Sequence, residues 1–288
     1  MILAGQKVLI TRAKTQARKT ADKLEAAGAV PVLLPVIEFQ EPDSFDQLDK
    51  SLENLSQFHW IIFASGNAVR AVFKRMEHLN IDPLDLKLLK IGAIGAATAR
   101  VLEEKGLSVE FKPSKFVAED FVNEFPQNLD GSRELQGTRI LWPRTNVGRL
   151  LIHDDLTASG AEVAMVEAYK TELPSNLDEL SSELFEMCQK RTIDMITFAS
   201  SQTVRNFKKI LTRGLINYAS TKGYIVNPSS MALEGTARSL IGDIAIATIG
   251  PVTTETAKSQ LKAVDVESAE HTIDGLIDAI CRYYNPIM

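Results

Sequence analysis

The sequence predicts an α/β protein with two similar flavodoxin-like domains, each a doubly wound parallel sheet, joined by two linker segments around a cleft. The first observation behind this prediction is internal repetition. Three pairs of similar segments follow one another in the same order: 5–12 with 137–144, 60–69 with 194–204, and 94–98 with 249–253. Because chance similarity does not preserve order, we expect two copies of one α/β unit, with an insertion in the second.

The second observation is the alternation of strands and helices in the first copy. Residues 7–11 form a β-branched run, apolar residues then recur at helical spacing over 15–27, and Gly28 follows as a helix C-cap. Residues 29–35 are expected to form the next strand. The remaining strands of this copy are expected at 60–64, 89–94 and 108–111, and its remaining helices at 45–55, 68–76, 99–105 and 119–125.

The second copy shows the same alternation. Its strands are expected at 140–142, 161–168, 195–199, 244–249 and 263–267, and its helices at 150–159, 177–188, 203–211, 255–261 and 274–284. Strands separated by helices indicate parallel sheets with helices on both faces. In such sheets ligands bind beyond the carboxyl ends of the strands, and the repeated segments fall there.

Composition excludes several classes of protein. A hydrophobic content of 45% and a charged content of 24% are typical of a globular protein, and no apolar run is long enough for a membrane span. The first residues lead into a strand without a targeting segment, so we expect a cytoplasmic protein with no membrane partner. The net charge of −5 argues against nucleic acid as a partner.

Motifs for cofactors, metals and nucleophilic catalysis are missing from the sequence. Cys188 and Cys281 lie in unlike contexts, and the four histidines show no metal-ligand spacing. Neither a nucleotide-binding glycine motif nor a Gly-x-Ser-x-Gly elbow is present. We therefore expect no metal, no cofactor and no serine hydrolase chemistry.

Hydroxyl residues follow several strands at the start of a helix. Free backbone N–H groups and the positive end of the helix dipole favour a carboxylate or phosphate at such a position. Each hydroxyl could instead only cap its own helix, as Ser65 or Asn67 could. Because the same chemistry recurs in both copies, the residues together predict a site for a ligand with several anionic groups. They are Ser65, Thr98, Ser200, Ser201 and Thr253.

Three arginines and one tyrosine are further candidates. Arg12 and Arg144 hold equivalent strand-end positions and Arg149 follows Arg144, and a guanidinium suits a carboxylate, although a surface ion pair is an equal alternative. Tyr169 ends a strand of the second copy where the chain runs toward Pro174. Its phenol either donates a hydrogen bond into the cleft or is a half-buried linker aromatic.

Several motifs, in this order along nearly the whole chain, resemble those of the uroporphyrinogen-III synthase family. They are the strand-Thr-Arg opening at 8–12, Phe-x-Ser-x-Asn-Ala-Val at 63–69, Ile-Gly-x-x-Thr-Ala at 94–99, Tyr-x-Thr at 169–171, Phe-x-Ser at 198–200 and Ile-Gly-Pro-x-Thr at 249–253. The sequence departs from the commoner Phe-Thr-Ser pattern at Ala64 and Ala199, so no hydroxyl contact is carried to those positions. Residues 218–234 have no clear counterpart.

The resemblance implies a crossed arrangement of domains. The chain would leave its first domain, 1–36, build an inserted domain over 40–168, and return to complete the first domain with 172–288. Segments 36–42 and 168–174 would be the hinge linkers. A tandem division near residue 132 is the alternative from the sequence alone.

The resemblance also implies a reaction. The family converts hydroxymethylbilane, a linear tetrapyrrole with eight carboxylates, into uroporphyrinogen III, with loss of water and inversion of the last ring through a spiro intermediate. Tyr169 would assist departure of the hydroxyl, while Ser65, Thr98, Ser200 and Thr253 would border or hold the substrate. A monomer, with transient hand-over of substrate from the preceding pathway enzyme, is expected. The alternatives are a non-catalytic two-domain binding protein for a small polyanion, and a structural module whose hydroxyls only cap helices.

Overall fold

A computed structural model describes residues 2–114, 118–125, 135–223 and 232–286, with the backbone alone at 232–236. The chain divides into two compact units. Unit 1 comprises Met1–Glu38 and Glu172–Met288, and unit 2 comprises Phe39–Thr171. The boundaries therefore fall inside the two segments that were predicted as linkers.

The helices and strands of the described residues alternate along the chain. The strands are β1 Lys7–Ile10, β2 Val30–Leu33, β3 Glu38–Gln40, β4 Trp60–Phe63, β5 Lys90–Ala93, β6 Arg139–Thr145, β7 Glu162–Glu172, β8 Met195–Phe198, β9 Ala245–Thr248 and β10 Val266–Glu267. The α-helices are α1 Lys14–Ala26, α2 Asp46–Glu53, α3 Gly66–His78, α4 Ala96–Glu104, α5 Ala118–Glu124, α6 Leu151–Ala158, α7 Leu177–Lys190, α8 Ser201–Thr221, α9 Ala232–Ile241, α10 Pro251–Leu261 and α11 Ile273–Tyr284.

Unit 1 contains a five-stranded sheet in the order β10-β9-β8-β1-β2, and its strands pair in parallel. Numbered within the unit, this is the flavodoxin order 2-1-3-4-5. The buried strands β8 and β9 carry apolar side chains on both faces, because helices cover both sides of the sheet. The predicted fold class is confirmed for this unit.

Unit 2 contains a five-stranded sheet in the order β3-β7-β6-β4-β5, in which β7, β6, β4 and β5 pair in parallel. A single parallel bridge from Gly92 to Phe111 continues the sheet beyond β5. When the strands are numbered by their place in the repeat rather than along the chain, the order from β7 to Phe111 is also 2-1-3-4-5, with β3 added beside β7. The second predicted α/β unit is thus confirmed.

The pairing between strands is crossed relative to the repeat. β1 of the first copy pairs with β8 of the second, and β6 of the second pairs with β4 of the first. A tandem division near residue 132 would require both β1 and β4 in one sheet, so that alternative is wrong. Each sheet is completed by strands of both copies.

Several predicted boundaries need correction. The helix expected at 203–211 continues to Thr221, because Gly214 allows α8 to lie directly against Ser181 of α7. The strand expected to end at residue 168 continues to Glu172, because β7 remains paired with β6 and β3. The strand expected at 108–111 is reduced to the bridge at Phe111. Of the segment 218–234, residues 224–231 lie outside the described residues.

The sequence predicted no membrane-spanning segment, and the lengths and hydropathies of the helices can be compared with that prediction. Among the described residues, no helix combines the length and the apolar character that crossing a bilayer requires.

Candidate active site

The carboxyl ends of β4, β5, β6 and β7 lie at one edge of the sheet in unit 2, because these strands are parallel. Ser65 follows β4 at this edge with extended dihedral angles, φ −155° and ψ 149°. Its side-chain oxygen accepts a hydrogen bond from the amide of Ala68 at 3.1 Å. Ser65 is therefore the N-cap of α3, as its position before the helix indicated.

Tyr169 lies on β7 beside this cap. Its phenol oxygen is 3.0 Å from Ser65 Oγ, and the edge of its ring packs against Phe39 with centroids 5.7 Å apart. The long strand β7 holds the ring in place, since Tyr169 pairs in register with Thr145 of β6. Of the two interpretations of Tyr169, the structure shows a half-buried aromatic ring whose hydroxyl is also hydrogen-bonded at the strand edge.

The pKa of Tyr169 lies above its ordinary value. Burial of the phenol is the main cause, because a low-dielectric environment disfavours the charged phenolate. The hydrogen bond between Tyr169 and Ser65, the charges of Arg144 and Arg70, and the hydrogen bond with Asn67 each act in the opposite direction. Tyr169 is thus protonated at neutral pH and able to donate.

Arg144 brings a partly buried positive charge to Tyr169. Its Nη2 donates to the carbonyl oxygens of Val147 and Gly148, each at 3.1 Å, and its guanidinium lies 4.8 Å from the centre of the Trp142 ring. Burial lowers the pKa of Arg144 below its ordinary value, and the neighbouring Tyr169 opposes this shift. Within the described ranges Arg144 forms no salt bridge.

Sequence reasoning missed Arg70, which completes this group. Arg70 Nη2 donates to Asn67 Oδ1 at 2.7 Å, so its side chain turns back toward the start of α3. A signal was available, because Ala68-Val69-Arg70 recurs as Thr203-Val204-Arg205 and extends the repeat by one residue. We call Ser65, Asn67, Arg70, Arg144 and Tyr169 the Tyr169 cluster.

A second group of polar residues lies between β6 and β7, and it joins Thr171 of the Tyr-x-Thr motif to Thr145 and Asn146, which sequence reasoning missed. The hydroxyls of Thr145 and Thr171 are 2.8 Å apart, and Asn146 Oδ1 accepts from the Thr171 amide at 2.9 Å. These bonds tie the ends of the two strands together just beyond Tyr169. They hold the backbone that carries the phenol.

Two other predicted residues of unit 2 lie in different surroundings. Thr98 is buried in the first turn of α4, where its amide bonds to the Gly95 carbonyl at 2.9 Å. Arg149 forms an ion pair with Glu119 through both terminal nitrogens, and this hydrogen bond lowers the pKa of Glu119. The ion pair that was the alternative for Arg149 is therefore present.

Unit 1 repeats the cap but uses its hydroxyls differently. Ser200 caps α8 by accepting from the amide of Thr203 at 3.2 Å. Ser201 Oγ donates to the carbonyl of Val252 at 3.1 Å and accepts from Thr256 Oγ1 at 2.8 Å, so it links α8 to α10. Thr253 is buried in the first turn of α10.

Arg12 follows β1 at the same edge of unit 1. It donates to Gln16 Oε1 at 3.0 Å and Thr20 Oγ1 at 3.3 Å, while its buried Nε has no partner among the described residues. Burial lowers its pKa, because the charged guanidinium loses hydration. Arg12 is thus a partly buried cation whose hydrogen-bonding partners are neutral.

Metal ligands and reactive thiols are the remaining possibilities for chemistry. Within the part of the chain that the structure describes, no group of three or more His, Cys, Asp or Glu residues is placed to hold a metal ion. Burial raises the pKa of the Cys188 thiol to about 12, so this side chain is a neutral part of the core.

Comparisons with known proteins agree with this architecture. The protein-family profile described as "Uroporphyrinogen-III synthase HemD" matches residues 18–278. The chain is 34% identical to the uroporphyrinogen-III synthase of Synechococcus elongatus, over 96% of the chain and 95% of that protein. It is 28% identical to a putative uroporphyrinogen-III synthase of Methanothermobacter thermautotrophicus, over 70% of the chain and 76% of that protein.

Solved structures show the same fold. A mutant uroporphyrinogen III synthase of Thermus thermophilus superposes with a TM-score of 0.65 at 18% identity, covering 98% of this chain and all of that one. The uroporphyrinogen-III synthetase of Helicobacter pylori gives a TM-score of 0.54 at 12% identity, over 95% and 97% of the two chains. The profile match and the identity to the Synechococcus protein together show that the chain belongs to the uroporphyrinogen-III synthase family.

Proposed function

We propose that this protein converts hydroxymethylbilane into uroporphyrinogen III, with loss of water and inversion of the last pyrrole ring. Membership of the family supports a cyclising lyase over a non-catalytic binding protein or a structural module. The observation that carries the proposal within the molecule is the hydrogen bond between the Tyr169 phenol and the helix cap Ser65, beside two guanidinium groups.

Tyr169 is proposed to assist departure of the hydroxyl group. When the C–O bond breaks, oxygen leaves with the electron pair as hydroxide, which becomes water by taking up the proton that the substrate loses on ring closure. A hydrogen bond stabilises the negative charge that develops on this oxygen. A phenol with a raised pKa holds its proton and donates a hydrogen bond to that oxygen. Ser65 Oγ already accepts from the Ala68 amide, so its own hydrogen can be donated to the phenol oxygen, which leaves the Tyr169 hydrogen free for the substrate.

The other polar residues are proposed to bind the carboxylates of the substrate. In unit 2 these are Ser65, Asn67, Thr98, Arg144 and Arg149. In unit 1 they are Arg12, Ser200, Ser201 and Thr253. Their support is their position at strand ends and first helical turns, where amide hydrogens and cations stabilise anions. Thr98 and Thr253 are 4% and 5% exposed, so we propose that they act mainly by shaping the adjacent turns.

Positioning is proposed to supply most of the catalysis, without a cofactor. The activated bilane closes spontaneously to the uninverted isomer, so the protein must hold the flexible chain until the substituted ring position attacks. Charge-assisted hydrogen bonds to several acid arms provide that constraint. Strong acids and bases are not required.

Segments 36–42 and 168–174 are proposed to act as hinges. Both carry the chain between the units, and parts of them form β3 and the end of β7. Small-angle scattering with and without product tests this proposal, since hinge motion predicts a change in the radius of gyration and an identical curve contradicts it. We further propose a cytoplasmic monomer that receives the bilane from the enzyme that produces it.

One experiment tests the proposed function directly. The protein is incubated with freshly generated hydroxymethylbilane, and the oxidised products are separated by isomer. We expect uroporphyrinogen III to form far faster than the uninverted isomer forms in buffer. If only the uninverted isomer appears, at the spontaneous rate, the protein is not a synthase. Tight binding without turnover would favour the polyanion-binding alternative.

A further inference from the structure

The side chain of Arg70 turns back toward the first residues of α3. Its Nη2 donates to Asn67 Oδ1 at 2.7 Å, and a Cβ added at Gly66 would lie 3.5 Å from both of its terminal nitrogens. The guanidinium therefore lies over the first turn of its own helix, while Arg70 remains exposed and accessible to a ligand from solvent. The hydrogen bond to Asn67 holds this conformation.

The electrostatics of this orientation are unfavourable without an anion. The N-terminal end of a helix is positive, so a cation there is repelled. Arg144 places a second positive charge near the same phenol, and both charges lower the pKa of Tyr169. Among the described residues neither arginine forms a salt bridge. The Tyr169 cluster thus carries two cations with no carboxylate paired to either.

The equivalent arginine of unit 1 shows that the helix does not force this conformation. Arg205 occupies the same place in the repeat, but it lines an open groove of about 660 Å³ on α8 together with Lys208 and Lys209. Gln202, at the position of Asn67, donates to Asn206 Oδ1 at 2.9 Å. Only in unit 2 does the arginine bond to the side chain at this position.

We propose that Arg70 binds a carboxylate of the substrate next to the Tyr169 phenol, an inference that rests on the proposed function. Because Tyr169 is proposed to contact the departing hydroxyl, we assign this carboxylate to the pyrrole ring that carries that hydroxyl. Arg70 then anchors the reacting ring, while Asn67 holds the guanidinium in position. Arg144, near the carboxyl end of β6 at the same edge of the sheet, supplies a second positive charge.

The test compares Arg70→Ala with its repeat-related control Arg205→Ala. Steady-state kinetics with hydroxymethylbilane are followed by isomer separation. Loss of a charge-assisted hydrogen bond lowers kcat/KM by about 10- to 100-fold, and we expect this fall for Arg70→Ala, mainly through a higher KM. Arg70→Lys should show an intermediate value, because it keeps the charge but not the fork. Arg205→Ala should stay within about twofold of the wild type, as expected of a surface change.

Each result decides the inference separately from the proposed function. Unchanged kcat/KM in Arg70→Ala, an equal fall in Arg205→Ala, or a fall in kcat with an unchanged KM would overturn the role of Arg70. If the wild type forms no inverted isomer, the proposed function fails, and titration with uroporphyrin III, a non-reacting octacarboxylate, replaces kinetics. In that case weaker binding by Arg70→Ala than by Arg205→Ala supports the anchor, and equal binding refutes it.

Discussion

The turn at Ser65 in unit 2 and the turn at Ser200 in unit 1 have the same backbone design but different surroundings. Both serines follow a buried strand, adopt extended dihedral angles and accept a hydrogen bond from the amide three residues later. Beyond the cap they diverge. Ser65 Oγ contacts a phenol, whereas the further contact of Ser200 Oγ within the described ranges is one of 3.4 Å to the Thr203 hydroxyl.

The residue two positions after each serine explains part of the difference. Asn67 accepts from Arg70 and reaches Tyr169, while Gln202 donates to Asn206, which itself donates to the carbonyl of Val36. In unit 1 the amide group is therefore used for packing, and in unit 2 it organises polar side chains. Two units of the same fold can thus keep the same helix caps while only one of them carries a phenol beside its cap.

The largest expected effect is the loss of the phenol that distinguishes the two turns. Tyr169→Phe should lower kcat by about 100-fold or more, because hydrogen-bond donation to the leaving oxygen is lost. Rapid-quench kinetics with hydroxymethylbilane measure this, and Tyr218→Phe in unit 1 is the matched control. A Tyr169→Phe enzyme as fast as the control would remove Tyr169 from the mechanism.

The next effect concerns the longer helix of unit 1. Gly214→Ala should reduce the free energy of unfolding of unit 1 by about 2–3 kcal/mol, because overpacking strains the contact of α8 with α7. The new Cβ would lie 2.1 Å from the Ser181 carbonyl oxygen. Urea unfolding followed by circular dichroism is the measurement. Ser220→Ala on the same helix is the control, and equal stability of the two variants contradicts the close contact.

Removal of the two caps separates structure from chemistry. Ser65→Ala and Ser200→Ala should each cost about 1 kcal/mol of stability, since each helix loses its N-cap hydrogen bond. Only Ser65→Ala should also lower kcat, by about tenfold, because the phenol loses its partner. Thermal melts and kinetics on both variants are compared. If both variants lower kcat equally, the contact with Tyr169 has no catalytic value.

The smallest effect is expected from alkaline pH. Because burial raises the pKa of Tyr169, the phenol keeps its proton up to and beyond pH 10, which is near the ordinary pKa of tyrosine. The donor form is therefore complete at lower pH and is lost only as pH rises through the folded-state pKa. We expect the kcat profile to show no step from Tyr169 between about pH 7 and 9.5. A decline in this range that disappears in Tyr169→Phe would contradict the protonated donor.

Much of the fold follows from the repeated segments, since strand-turn-helix blocks encode local structure and the order of strands within one copy. The crossing of the copies does not follow from spacing. The sequences of short buried strands such as β4 and β8 are similar and do not specify a pairing partner. From sequence alone, β1 could therefore pair with either of them. The crossed arrangement was therefore suggested by resemblance to a family and is seen in the sheet pairing.

The length of α8 and the orientation of Arg70 could not be predicted from local sequence patterns, because both depend on tertiary contacts. Glycine has a low helix propensity, so Gly214 weakens the sequence signal for α8. At that position the close contact with α7 leaves no room for a side chain. In the sequence, Arg70 looks like any exposed arginine on a helix. Its orientation depends on the hydrogen bond to Asn67, which only the structure shows. The role of Ser65 as a helix cap could be predicted, because a cap depends on residues that are neighbours in sequence. The orientation of a side chain depends instead on the residues that surround it in the folded unit.

The crossed pairing has a consequence for the order of events during translation. Unit 2 is continuous and can fold as soon as β7 has left the ribosome. The hydroxyl of Thr11 instead bonds to the carbonyl of Thr197, 186 residues later. The edge of β1 that pairs with β8 therefore has no partner while unit 2 is made. At about 5–20 residues per second this interval lasts on the order of ten seconds or more. During that time the apolar edge of β1 is open to chaperones and to aggregation.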